Sequence, residues 1–566
     1  MESNQIKIRK FNPTIASTLE SQGFNPLIAR ILASRGVTDK EQMSTDWKHL
    51  LNPNLMLNME MTVSYLADAI EQKKNILIVA DYDCDGATAC AVAIRGLRMF
   101  GHDADFYVPN RAETGYGLSP ELIDLVLAQR SKPDLIITVD NGIASVDGVR
   151  YANSLGIQVL VTDHHLPGDV LPDALSIINP NQRGCRFPSK ALAGVGVMFY
   201  LLIALRTEFR RRGRWQSSNQ EPPISNLVDL VALGTVADVV KLDSNNRLLV
   251  DKGLSLMKHG KAKPGIIALF QVASCNYAKS TSLDLGFILG PRINAAGRLA
   301  DMSLGIKCLL TDDPEEAYAY ASELNEINKK RKSIENTIKQ EALNGDEYTT
   351  FSGQSLISYS KDWNPGVIGI VASRLKEKYW VPSIVFASAG EELIQGSGRS
   401  IPDVHLRDVL DLVSKRHPNF LTKFGGHAMA AGLTMHAKYL EEFKVAFNKA
   451  VIDISGITEF NRIVETDGEI DVVWAHLDTA KEIEKIVWGA GFPPPLFNDK
   501  FTVLDQTVLK EKHSRLRLEK DGAEFKAIYF NFAEALPNEV EFIFTMNVNQ
   551  FNGYESLQLN IQDHVI

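Results

Sequence analysis

NILIVADYDCDGATAC, residues Asn75 to Cys90, sets a short apolar run directly before three carboxylates at alternate positions. Asn75 to Ala80 is too brief for a helix and reads as a buried strand. It leads straight into Asp81, Asp83 and Asp85, then Gly86 and a helix-like run, ATACAVAIRGLRMF. Three carboxylates this close repel one another unless a cation sits between them. Hard oxygen ligands favour magnesium or manganese over zinc or copper. A solvated acidic turn is the competing reading of this stretch alone.

Two further stretches repeat the pattern. DLIITV (Asp134 to Val139) reads as a buried strand ending in Asp140-Asn141-Gly142, and IQVLVT (Ile157 to Thr162) as another ending in Asp163-His164-His165. In an open parallel sheet the carboxyl ends of the strands lie along one edge, where ligands bind. Order along the chain therefore predicts convergence of Asp83, Asp85, Asp140, His164 and His165. A two-metal site explains that cluster better than chance.

The chain of 566 residues has room for two to four domains. It is 45% hydrophobic and 23% charged, with no apolar run long enough to span a membrane. The first residues, MESNQIKIRKFNP, carry no apolar core of a secretory leader. Five cysteines without a CxxC pair (Cys84, Cys90, Cys185, Cys275, Cys308) predict a reducing, cytoplasmic setting and exclude a zinc ribbon. A net charge of −9 argues against indiscriminate DNA coating but leaves room for a local basic stripe.

Residues 1–70 read as a helical segment and 71–240 as the α/β domain, with further strands at Ala104 to Val108 and Leu175 to Ile178. Leu192 to Leu205 reads as an apolar helix. The five arginines between Arg206 and Trp215 are either phosphate contacts or a solvated helix end, and the second is favoured. LVDLVALGTVAD (Leu227 to Asp238) is a buried helix ending in an acid that either swings into the metal crevice or serves as a cap. Residues 241–351 form a helical linker region. It holds GPRINAAGR (Gly290 to Arg298), read as a glycine-rich phosphate-approaching loop, and a long charged helix from Pro314 to about Leu343.

A second α/β unit spans 352–455, with strands at Ser355 to Tyr359 and Ser383 to Phe386 and a helix at Gly366 to Leu375. Its glycine-rich signals are GSGRS (Gly396 to Ser400) and FGGH (Phe424 to His427), which serve either ligand approach or tight packing. In residues 456–566 five strand-like runs alternate with turns, predicting a small barrel of the OB type. Phe525, Tyr529, Phe530, Phe551 and Tyr554 recur there with Arg515, Arg517 and Lys526, a mixture suited to stacking and pairing with single-stranded nucleic acid. Barrel core is the competing fate of each ring.

DYDCDG, VDNG, DHH and GTVAD, in this order, resemble the DHH phosphoesterase superfamily, and GGHAMAAG resembles its DHHA1 domain. With GPRINAAGR, GSGRS and the terminal barrel, the chain from about residue 75 onward is similar to the RecJ family of single-strand-specific 5′→3′ exonucleases. The resemblance implies an α/β multidomain fold: a parallel-sheet DHH domain, a long connecting helix, a smaller α/β DHHA1 domain and a C-terminal OB-type β-barrel. It also implies metal ligation by Asp83, Asp85, Asp140, His164, His165 and Asp238, with Asp85 or Asp140 bridging two Mn2+ or Mg2+ ions. Asp81 belongs to the same catalytic motif, and Asp163 would orient an imidazole. Arg292, Asn294, Arg298, Ser397, Arg399, Gly426 and His427 would bind substrate. Val79 stands where pyrophosphatases and small oligonucleotide phosphatases of the superfamily place a histidine.

The implied activity is two-metal hydrolysis of single-stranded DNA from the 5′ end, in DNA repair and recombination, with the DHHA1 domain walling a cleft one strand wide. A monomer is expected, with single-strand-binding protein and a helicase as partners and no membrane association. The alternative enzyme is a phosphodiesterase for oligoribonucleotides or cyclic dinucleotides, against which the terminal barrel argues. A non-catalytic scaffold would have no use for so many crowded carboxylates.

Overall fold

The computed structural model describes residues 5–109, 117–344, 348–390 and 392–565. Where apolar spacing predicts only helix, the first described element is a strand, β1 (Gln5–Ile8), which pairs with β13 (Ile463–Thr466) in a two-stranded ribbon. Helices Pro13–Ser21, Pro26–Ser34 and Met59–Glu71 follow, the first two opened by Asn12 and Asn25, whose side chains accept helix N–H bonds.

The sheet that carries the predicted acids is entirely parallel. Its strands are β2 (Ile76–Ala80), β3 (Asp105–Tyr107), β4 (Leu135–Val139), β5 (Gln158–Thr162) and β6 (Ser176–Ile178), in the order β3-β2-β4-β5-β6. Every residue of β2 and β4 is buried, because covering helices leave neither face of such a sheet to water. Helix Cys84–Met99 leaves β2 and is buried along nearly its whole length. Helices Gly194–Arg211 and Val228–Ala237 bury beside it in the same core.

The arginines after Leu205 extend that helix to Arg211, and acids hold them. Arg210 pairs with Glu221, Arg211 with Glu208, and Arg212 with Glu208, Asp68 and Glu71. Arg214 lies over the Phe209 ring. The favoured reading of this cluster as a helix end therefore holds.

GPRINAAGR is a helix, Gly290–Leu299, and not the loop that its glycines suggest. Pro291 sits in its first turn, directly after a π-helical turn, Leu285–Leu289, from which the helix continues. The long helix runs Pro314–Asn344. The chain divides into two compact units, residues 1–6 with 326–464, and residues 7–325 with 465–566.

The first unit holds a six-stranded sheet: β7 (Thr349–Phe351), β8 (Leu356–Tyr359), β9 (Ser383–Ser388), β10 (Leu393–Arg399), β11 (Leu421–Gly426) and β12 (Ala430–His436), ordered β11-β12-β10-β9-β8-β7. Both glycine-rich signals lie on its strands rather than in loops. A Cβ on Gly396 would come 2.5 Å from Phe386, and one on Gly398 2.8 Å from Leu406, so these two glycines serve packing.

In the second unit β14 (Phe497–Leu509), β15 (His513–Lys520), β16 (Ala523–Tyr529), β17 (Glu539–Phe551) and β18 (Tyr554–Val565) close into a barrel ordered β14-β15-β16-β18-β17. Closure leaves no sheet edge unpaired. Phe525 and Tyr529 are in its core, whereas Phe530, Phe551 and Tyr554 are exposed. Arg515, Arg517 and Lys526 also face outward. No described helix is long and apolar enough to cross a membrane.

Candidate metal centre

Strand register sets the first three acids side by side. Ala80 pairs with Val139, and Val139 with Thr162. The next residue of each strand, Asp81, Asp140 and Asp163, continues the ladder: Asp81 N–H donates to Val139 O (3.3 Å), Asp140 N–H to Thr162 O (3.1 Å) and Asp163 N–H to Ile178 O (3.1 Å). One carboxylate thus ends each of three neighbouring strands. Asp140 is left-handed, with φ of 61°, a conformation uncommon for any residue with a side chain. Asn141 holds it there, its amide donating to Val79 O (3.1 Å) and Val139 O (3.0 Å).

The remaining ligand candidates arrive from the adjoining helices. Asp83 caps helix Cys84–Met99, its Oδ1 accepting Gly86 N–H at 3.0 Å. Asp85, inside that first turn, accepts Gly194 N–H (2.7 Å) and Val195 N–H (2.8 Å) from the start of helix Gly194–Arg211. The positive end of that helix favours the buried charge. Asp238 ends helix Val228–Ala237. Of the two acids on that helix only Asp238 reaches the cluster; Asp229 accepts Lys263 N–H instead.

His164 Nε2 lies 3.1 Å from Asp140 Oδ1, 3.5 Å from Asp238 Oδ2 and 3.9 Å from Asp85 Oδ2. His165 Nδ1 meets Asp163 Oδ1 at 2.7 Å, and the same carboxylate accepts His164 N–H, His165 N–H and Ile143 N–H. Ligand atoms lie within 4.8 Å of one another in three overlapping groups: Asp140, His164 and His165; Asp85, His164 and Asp238; and Asp81, Asp83 and Asp140.

Electrostatics mark the cluster as lacking positive charge. Burial and then neighbouring carboxylates push Asp81 and Asp140 well above the ordinary range. The same two causes raise Asp85 to about 7 and Asp238 to about 9. Burial and the charge of His165 lower His164 to about 4. Burial also disfavours charge on His165, but Asp163 on its ring and the nearby Asp81 and Asp238 outweigh it, raising this imidazole to about 9. Asp140 Oδ1 and His164 Nε2, buried and 3.1 Å apart, make no well-formed hydrogen bond and face no partner but each other. Oxygen-rich donors with neutral imidazole and these two facing ligand atoms fit a hard divalent cation.

Close packing holds the walls. A Cβ on Gly194 would lie 2.6 Å from Asp140 Oδ1, and one on Gly297 would lie 2.0 Å from Tyr82 O. Asn294 Oδ1 accepts Cys84 N–H at 2.7 Å. Arg292, on the same helix, donates to Asn325 Oδ1 (3.0 Å) and Ile288 O (2.6 Å), and Arg298 stands exposed in the last turn.

The other four substrate candidates belong to the unit of the six-stranded sheet. Arg399 pairs in register with Ala430 and Gly426 with Ala431, so these two groups stand one strand apart at one end of that sheet. Arg399 donates to Ser397 Oγ (3.1 Å), and His427 is exposed. Asn179 and Asn181 escaped sequence reasoning. Their amides donate to His165 O (2.9 Å) and His164 O (2.6 Å), fixing the histidine turn. The signal was present, since Asn179 follows β6 as Asp81, Asp140 and Asp163 follow their strands.

Comparison with known proteins agrees with this architecture. Residues 75–235 match the DHH family, N-terminal domain; 352–453 match the DHHA1 domain; and 466–563 match the RecJ OB domain. The chain is 43% identical to the single-stranded-DNA-specific exonuclease RecJ of Salmonella typhimurium over 543 residues, 94% of each protein. Thermus thermophilus RecJ in complex with Mn2+ superposes with a TM-score of 0.82 at 27% identity, covering 100% of this chain and 80% of that one. The Mg2+ complex of RecJ from the same organism gives 0.78 at 25%, covering 99% and 78%. The chain therefore belongs to the RecJ family.

Proposed function

We propose that the protein is a metal-dependent exonuclease that hydrolyses single-stranded DNA from the 5′ end. The observation that carries this reading is the convergence of Asp85, Asp140, His164 and Asp238, with two buried ligand atoms that face only each other. The Salmonella typhimurium relative is named a single-stranded-DNA-specific exonuclease, and the two Thermus thermophilus structures are complexes with Mn2+ and Mg2+.

Asp83, Asp85, Asp140, His164, His165 and Asp238 would hold the cation or cations, and the overlap of the three donor groups favours two positions over one. When bound, divalent cations act as Lewis acids on a phosphodiester. The chain's own part is orientation. Asp163 fixes the His165 ring through Nδ1, so that Nε2 is the ring atom that would ligate. The amides of Gly194 and Val195 hold both oxygens of Asp85. Arg292, Asn294, Arg298, Ser397, Arg399, Gly426 and His427 are read as the substrate-binding set. Domains at 71–240 and 352–455 are assigned to chemistry and substrate, and 456–566 to holding the strand. Five free cysteines fit a cytoplasmic setting.

Digestion of 5′- and 3′-labelled single-stranded DNA with and without Mn2+ tests this reading. Label should leave the 5′ end first, only with metal, and blunt duplex should persist. Loss from the 3′ end first, or equal attack on duplex, would overturn it.

A further inference from the structure

Val239, the residue after Asp238, has φ of 61° and is 71% exposed. Among the described residues no other β-branched one has left-handed backbone. The branched Cβ makes that conformation an outlier for valine, whereas glycine adopts it freely. Glycine is also what commonly stands just past the end of a helix, as Gly456 does after helix Leu440–Ser455 with φ of 66°. Exposure denies Val239 the burial that could offset the strain. Neither packing nor propensity accounts for a valine here.

The acids of the metal centre are held in two different ways. Asp81, Asp83, Asp85 and Asp163 each accept a backbone N–H on the carboxylate. Among the described residues no backbone N–H reaches the carboxylate of Asp140 or Asp238, which face His164 Nε2 at 3.1 and 3.5 Å. These two are placed through the main chain instead. Asp140 is itself left-handed, and Asp238 is followed by a residue that is.

The turn at Val239 is clamped from both sides, as the persistence of strain requires. Upstream, Asp238 N–H donates to Gly234 O (2.9 Å) and Val239 N–H to Val236 O (3.2 Å). A Cβ on Gly234 would lie 2.2 Å from Thr88 Oγ1, so this end of the helix is pressed onto helix Cys84–Met99. Downstream, Leu242 N–H donates to Ala490 O (2.8 Å) and Asn246 Nδ2 to Lys241 O (2.9 Å). A Cβ on Gly491 would lie 2.5 Å from Lys241 Cγ.

We infer that Val239 is a positioning residue for Asp238, its stiff and strained backbone holding that carboxylate toward His164 against the repulsion of the neighbouring acids. This rests on the metal-centre reading. Glycine would make the same turn without strain, and its wider range of φ and ψ would let Asp238 swing away from the other acids.

The test compares Val239→Gly and Val239→Thr with the unsubstituted protein by calorimetric Mn2+ titration, metal-free thermal unfolding and steady-state kinetics. Val239→Gly should bind Mn2+ about tenfold more weakly. Its metal-free melting temperature should rise by about 2 °C as the strain is relieved. A turn that serves the fold alone would not give these opposite signs. Val239→Thr keeps the branched Cβ and should keep the Mn2+ affinity.

Unchanged Mn2+ affinity in Val239→Gly would overturn the inference. So would a fall in both affinity and metal-free melting temperature, the mark of a turn that only holds the fold. Raised KM for single-stranded DNA in both variants, with Mn2+ affinity unchanged, would make Val239 an apolar contact of the substrate and overturn it as well. An unsubstituted protein that binds no Mn2+ would instead sink the metal reading and this inference with it, and the titration distinguishes the two failures.

Discussion

Asn294 accepts the backbone N–H of Cys84 at 2.7 Å, so a helix lying 210 residues further along the chain fixes the turn between Asp83 and Asp85. Cys84 is buried, and Asn294→Ala would leave its N–H unpaired at a cost of about 1–3 kcal/mol. The expected outcome is about tenfold weaker Mn2+ binding by calorimetry, together with a lower melting temperature. Raised KM with Mn2+ affinity unchanged would return Asn294 to the substrate side alone.

Asp163 touches the metal candidates only through His165 and the turn that carries it. Asp163→Asn removes the charge that holds the ring while keeping the size of the side chain. Mn2+ affinity should fall about 10- to 100-fold, and kcat with it at fixed metal. Recovery of kcat at high Mn2+ is expected, and titrating the metal against activity checks it.

The raised acids give the metal-free protein a pH dependence of definite sign. A carboxylate whose folded pKa lies above its unfolded value stabilises only while protonated, and that contribution is lost as pH rises through the folded pKa. Set against an unfolded carboxyl near 4, Asp85 at about 7 and Asp238 at about 9 spread the loss from about pH 4 to about pH 9. His165, raised to about 9, adds loss of the same sign. His164, lowered to about 4, acts only below the unfolded imidazole range. Melting temperature without metal should therefore fall across that window, and the increment given by Mn2+ should grow. An increment that shrinks with rising pH would contradict the charge balance of the site.

The barrel is no detachable tether. Arg35, in the N-terminal segment, pairs with Asp467 at the entry to the barrel region, and both side chains are 2% exposed. Asp467→Ala would strand a buried guanidinium, and chemical denaturation should show a loss of about 3–5 kcal/mol. Truncation before residue 466 would expose the same contact, so barrel function is better probed at its surface. Phe551→Ala with Tyr554→Ala should leave stability unchanged and raise KM for single-stranded DNA by about tenfold. A fall in kcat at constant KM would mean that the barrel shapes the active site.

The parallel sheet and its acids were legible because buried strands are short apolar runs and their carboxyl ends must align. The barrel was legible from alternation. Helix Gly290–Leu299 was not, since its two glycines, one at the start and one inside, read as loop. Gly297 is there because Tyr82 O leaves no room for a side chain, a tertiary demand that overrides propensity. Strand β10 hid for the same reason, with Phe386 and Leu406 excluding side chains at Gly396 and Gly398. Strand β1 hid because its partner β13 lies far along the sequence.

Gly194 carries a warning for the interpretation of natural and engineered variants. Gly→Ala in a first helical turn ordinarily counts as conservative and gains up to about 1 kcal/mol of helix propensity. Here the added methyl would stand 2.6 Å from Asp140 Oδ1, on the residue whose N–H also holds Asp85. A score built on size and polarity would class it as benign, and a rule that ranks substitutions by helix propensity would favour it. Either would be choosing a protein whose active centre no longer closes around its charges.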